Sequence, residues 1–133
     1  MAGQLGTETD LLKIIRAEAV DCVKMKVTRG GGMMKSMRTI ALAQAANLPL
    51  ITGNGSDNDI SFAAEVAVNV SSPHLTRACE STGAWSAYLE EFRLVKEPIV
   101  VENGSAHVPE KAVLGVELID IDDLNGLAER FKV

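Results

Sequence analysis

Apolar positions change their period several times along the chain. Val23, Met25 and Val27 alternate with Cys22, Lys24 and Lys26, the spacing of two that sends successive side chains to opposite faces of an extended segment. Ahead of this strand, Leu11, Leu12, Ile14 and Ile15 recur at helical spacing toward Ala19, and Thr7-Glu8-Thr9-Asp10 offers N-cap residues. Behind it come Gly30, Gly31 and Gly32, then Met33, Met34, Met37, Ile40, Ala41 and Ala45, which mark one face of a second helix that Asn47 ends before Pro49. Leu48-Pro49-Leu50-Ile51-Thr52 predicts a second strand opening into the small-residue loop Gly53-Asn54-Gly55-Ser56-Asp57-Asn58-Asp59. A further helix carries Ile60, Ala63, Ala64, Ala67, Val68 and Val70, with Asp57 or Asp59 as its cap. Helix, strand, helix, strand, helix is the rhythm of β-α units around a parallel sheet, and the fold class is α/β.

After Ser71-Ser72-Pro73 the pattern loosens. Leu75 to Cys79 reads as a third strand with Glu80 to Gly83 as its loop, and Trp85, Tyr88, Leu89 and Phe92 fall at helical spacing. Ile99 to Glu102 and Ser105 to Val108 flank Asn103-Gly104, the dipeptide suited to a type I′ hairpin turn. Leu124, Leu127, Ala128 and Phe131 predict a final helix.

The 133 residues are enough for one domain. Nearly half are apolar but only five are aromatic, so the core must be built from Ala, Val, Leu, Ile and Met. A net charge of −5 without a basic cluster argues against nucleic acid or an anionic membrane as partner. Cys22 and Cys79 are far apart and lack a second ligand at metal spacing, which suits a reduced, cytoplasmic interior better than a disulfide or a zinc site. No signal peptide is visible at the N-terminus, and no apolar run approaches membrane-spanning length.

The chemistry concentrates on the two lysines. If residues 22–27 are extended, Lys24 and Lys26 share one face about 6.5 Å apart, where burial and a like-charged neighbour both disfavour the ammonium form and favour use as a base. Lys26 stands at the strand end before the glycines; Lys24, one inward position deeper, either lines a site or pairs with a buried carboxylate. Asp57 reads equally as a helix cap or a substrate contact, and Glu80 as a loop carboxylate or an acid or base. The glycines could cradle a phosphate, although no Walker lysine-serine pair follows them; they equally suit a tight turn beside a substrate. His74 and His107 read as structural or exposed.

These motifs, in this order, resemble the C-terminal part of the enolase superfamily, in the mandelate racemase and muconate lactonizing enzyme group, over nearly the whole chain. A strand ending in lysine, followed by a basic residue and Gly-Gly, looks like the sixth barrel strand, and the resemblance places a catalytic lysine on Lys26. Gly53 to Ile60 is similar to the loop after the seventh strand, with its acidic position at Asp57. Glu97-Pro98, Asn103-Gly104, Val108-Pro109 and Leu114-Gly115-Val116-Glu117 look like the family's C-terminal signature, with Ala112-Val113 standing where the family has Pro-Gly.

The resemblance implies a partial domain, about three β-α units of a modified TIM-type barrel in residues 1–92 and a capping return segment in 93–133. It implies proton abstraction next to a carboxylate of a small molecule (racemisation or epimerisation, cycloisomerisation or dehydration), with Mg²⁺ holding the enolate. Lys24, Asn54, Asp57 and Glu80 are then substrate-binding candidates. The family's first catalytic lysine and its metal-binding carboxylates lie N-terminal to Lys26. The fifth-strand ligand would fall at Ala2 to Gln4, where no Asp or Glu stands. The expectation is therefore weak Mg²⁺ binding and no turnover by the chain alone. The alternative is a truncated, non-catalytic assembly module that pairs its open edges with another copy or an N-terminal partner.

Overall fold

The structure is a computed structural model that describes residues 4–54, 58–81 and 93–130. Its core is a parallel sheet in the order β1 (Gln4–Leu5), β2 (Val23–Met25), β3 (Leu50–Asn54) and β4 (Glu80–Ser81). The helices α1 (Glu8–Arg16), α2 (Met33–Ala45) and α3 (Asp59–Val70) connect successive strands. Registers are Leu5 with Met25, Met25 with Thr52, and Gly53 with Glu80.

The alternation along β2 divides the sheet into two faces. Val23, Met25 and Val27 are buried with Leu5, Leu50, Leu11 of α1, Ile40 and Ala43 of α2 and Val68 of α3. This is the helix-covered side, and by the period of two Lys24 and Lys26 belong to the other. Thr52 of β3 also points to the helices, where Asn69 Nδ2 donates to its Oγ1 at 2.7 Å and to the Glu65 carbonyl at 2.9 Å, so the buried hydroxyl of Thr52 is satisfied.

Helix ends follow local chemistry. Thr7 caps α1 by accepting from the Asp10 backbone N–H at 3.2 Å. Asn58, rather than Asp57 or Asp59, caps α3, its Oδ1 accepting from the Ser61 N–H at 3.0 Å. Asp59 instead lies in the first turn, where it accepts from the Leu94 N–H at 3.4 Å and meets Arg93 at 3.6 Å. Asn47, at φ 52°, takes the left-handed turn that follows α2.

The buried face of α2 is rotated from the one the methionines suggested. Ser36, Thr39, Ile40 and Ala43 are buried, Met37 packs at the edge, and Met33 and Met34 are exposed. Ser36 and Thr39 can be interior because each hydroxyl donates to the carbonyl four residues back, at 3.0 Å to Gly32 and 3.1 Å to Lys35.

The third strand also lies elsewhere than predicted. Residues 75–79 are irregular, held by turns in which Leu75 N–H donates to Ser72 and Thr76 N–H to His74, and the strand is Glu80–Ser81, set by pairing to the end of β3. The positions of Trp85, Tyr88, Leu89, Phe92 and Phe131 lie outside the described residues.

The remaining segment returns over the scaffold. Val95, which is buried, bridges Leu118 in an antiparallel contact flanked by hydrogen bonds from Lys96 N–H to Glu117 and from Ile119 N–H to Leu94. The hairpin β5 (Val101–Glu102) and β6 (Ser105–Ala106) turns through Asn103 at φ 51° and Gly104 at φ 77°, as a type I′ turn requires. The helix α4 (Ile121–Arg130) closes the described chain, in which no helix is long and apolar enough to cross a membrane.

Truncating Leu50, fully buried at the centre of the sheet, is expected to cost about 2–5 kcal/mol, whereas Asn58→Ala should cost about 1 kcal/mol through its lost cap. Urea denaturation of the two variants checks the ranking, and an equal or reversed order would place the core elsewhere.

Candidate functional site at the C-terminal ends of the strands

The strands are parallel, so their C-terminal ends meet along one rim. Lys26 directly follows β2 and opens a tight loop: the Gly30 N–H donates to the Lys26 carbonyl at 2.8 Å and the Gly32 N–H to that of Val27 at 2.9 Å. Gly31 and Gly32 hold φ at 86° and 98°, which side chains rarely adopt, and α2 starts from there. Lys26 is thus fixed at its backbone while its half-buried side chain stands on the face away from the helices.

Lys24 comes from the same face of β2. Its Nζ donates to Glu80 Oε2 in an ion pair that reaches from β2 across β3 to β4. The lysine side chain is mostly covered and that of Glu80 is largely open, at 17% and 59% exposure, so the pair stands at the solvent edge of the sheet. The hydrogen bond and charge of Lys24 hold the Glu80 carboxyl below the usual glutamate range, partly opposed by desolvation and reinforced by the charge of Lys26. Lys24 therefore does pair with a carboxylate, but an exposed one. Glu80 lies in a strand, not in a loop.

Gly53 was missed as a site residue. It lies in β3 between the two partners, and a Cβ there would overlap Lys24 Cε and stand 3.0 Å from Nζ and 3.2 Å from Cδ. A glycine at the end of an apolar strand signals close approach by another group, but not which one. Of the remaining candidates, Asn54 ends β3, while Asp57 lies outside the described residues. His74 Nε2 is 3.2 Å from the Leu48 carbonyl, and His107 stands on the hairpin 3.4 Å from Glu102; neither joins the lysines.

The matching family model, described as enolase C-terminal domain-like, covers residues 3–122. The chain belongs to this enolase C-terminal domain-like family. Within the superfamily it corresponds to the C-terminal segment of the mandelate racemase and muconate lactonizing enzyme group. It is 32% identical over 112 residues to muconate cycloisomerase 1 of Rhodococcus opacus, covering 84% of this chain and 29% of that protein. A crystal structure of an isomerase from Streptomyces coelicolor A3(2) superposes with a TM-score of 0.82 at 30% identity, covering 95% of this chain and 32% of that one. Another, of the mandelate racemase/muconate lactonizing type from Roseovarius nubinhibens ISM complexed with magnesium, reaches 0.74 at 29% identity, covering 89% and 31%. The chain spans about 30% of the length of the curated relatives it matches.

One of these neighbours is complexed with magnesium. Among the described residues no three of His, Cys, Asp and Glu come together, and Glu80 is engaged by Lys24. The described residues of this enolase C-terminal domain-like chain thus bring no carboxylate cluster together for a divalent ion.

The Glu80 shift sets a pH dependence. Because its folded-state pKa is lowered, the ion pair contributes stability above the ordinary glutamate range and loses it as pH falls through the lowered value. Thermal melts of the parent and Glu80→Gln should therefore differ near neutrality and converge in acid; a gap that persists unchanged in acid would contradict the assignment.

Proposed function

We propose that the chain is the C-terminal barrel segment of an enzyme that moves a proton at the carbon next to a carboxylate, with Lys26 as the acid–base group. The observation that carries this reading is the meeting of Lys24, Lys26 and Glu80 on one face at the C-terminal rim of a parallel sheet, where barrel enzymes place their chemistry. Residues 1–92 would supply about three β-α units, and residues 93–133 the return toward a capping domain.

The division of labour follows from the charges. Lys26 has no ion-pair partner among the described residues, so in its amine form it can accept the α-proton and as ammonium return it to carbon. Lys24 is occupied by Glu80, so the three groups carry one net positive charge while Lys26 is an ammonium and balance to zero when it is the amine. Donors for a divalent ion, where the full enzyme uses one, come from outside the described residues. Racemisation or epimerisation, cycloisomerisation and dehydration all begin with this proton transfer.

In a polypeptide where this segment completes a barrel, NMR should detect exchange of the substrate α-proton with solvent deuterium. Lys26→Ala should slow that exchange by about 10²–10⁴-fold, the usual contribution of a positioned acid or base. A folded Lys26→Ala variant exchanging within threefold of its parent would remove Lys26 from this role.

A second reading is favoured by the edges of the sheet. Each outer strand, β1 and β4, has one strand neighbour among the described residues, which leaves main-chain donors and acceptors able to pair with another strand. The chain would then be an assembly module, completed by a second copy or by an N-terminal segment. Sedimentation of the isolated chain should reveal self-association; a monomer at all concentrations with one cooperative thermal transition would count against this.

A further inference from the structure

We propose that Gly53 is a positioning residue for Glu80: its bare Cα opens the path by which Lys24 crosses β3 and holds the Glu80 carboxylate on the rim beside Lys26. The proposal rests on the reading of this rim as the functional face, and it adds a residue that carries no chemistry of its own.

Two independent features support it. The first is steric. Gly53 is buried and its φ is not in the left-handed region, so backbone conformation does not demand glycine there. What a Cβ would meet is the Lys24 side chain, overlapping Cε and standing 3.0 and 3.2 Å from Nζ and Cδ, so the flexible end of the lysine would have to leave its present path. The second is register. Gly53 is the residue paired with Glu80, and it follows Thr52, the partner of Met25. Lys24 therefore has to pass over position 53 to reach β4 by the short route.

The consequence is chemical. With Lys24 attached, Glu80 stands as a fixed anion whose remaining acceptor capacity faces outward, suited to a substrate hydroxyl or amine. Lys24 in turn is withdrawn from proton transfer, which leaves that part to Lys26. With a side chain at position 53, Lys24 would have to detour, Glu80 would be released to solvent, and two free lysines would share the face.

The test is a ¹³C NMR titration of the Glu80 carboxyl in the chain itself. Turnover is not needed, so a failure here is distinguishable from a failure of the proton-transfer reading. In the parent, Glu80 should titrate below the ordinary glutamate range. Lys24→Ala should move the midpoint up into that range, and Gly53→Ala should move it the same way although Lys24 is still present. Lys26→Ala should move it less.

A folded Gly53→Ala variant with the parental midpoint overturns the proposal, as does a Lys24→Ala variant that leaves the midpoint in place. If Gly53→Ala lowers the melting temperature too far for titration, the double variant Lys24→Ala/Gly53→Ala decides. It should recover the lost thermal stability, because the side chain that met the new Cβ is gone. A double variant as unstable as Gly53→Ala alone would mean that position 53 serves packing only.

Discussion

The two-faced character of β2 is the constraint from which the rest follows. A strand of three residues cannot place Val23 and Met25 in the helix-covered core without sending Lys24 to the opposite face, and continuing the alternation sends Lys26 there too. Burial of the apolar positions is non-negotiable for so small a sheet, so the lysines are held on the rim by the same packing that stabilises the fold. A one-residue slip of β2 would bury both cations among Leu11, Ile40 and Leu50, at a cost far above that of any single contact.

A fixed pair of cations then needs an electrostatic answer, and the structure supplies it two strands away. Glu80 meets Lys24, and its carboxyl also feels the charge of Lys26. Because the pair is partly open to water, its worth lies in geometry more than in stability. It orients a carboxylate and separates two lysines that would otherwise be chemically equivalent.

Much of this was legible in the pattern of residues, for physical reasons that also explain the rest. Strand β2, helices α1 to α3 and the Asn103-Gly104 hairpin each carry their signal within a few residues, as periodicity or as a turn dipeptide. The two-residue strands β1 and β4 have no period to read and exist through their pairing with β2 and β3. That is why the third strand was expected at residues 75–79 rather than at Glu80–Ser81. The buried face of α2 was misread because Ser36 and Thr39 look polar in sequence, yet satisfy their hydroxyls on their own helix. The place of Lys26 at the strand end was legible from the strand and the glycines after it; the partner of Lys24, 56 residues away, was not.

Gly53 joins these strands of argument. As a residue in a small-residue loop it carries no chemistry, and as a strand residue it is ordinary in conformation. Its meaning arises only when β2, β3 and β4 are placed side by side, since Lys24 passes against it on the way to Glu80. A site of this kind depends on the absence of atoms at one position as much as on the presence of charged groups at others. The same packing that forces the lysines onto the rim therefore also dictates where the sheet between them and Glu80 must be bare.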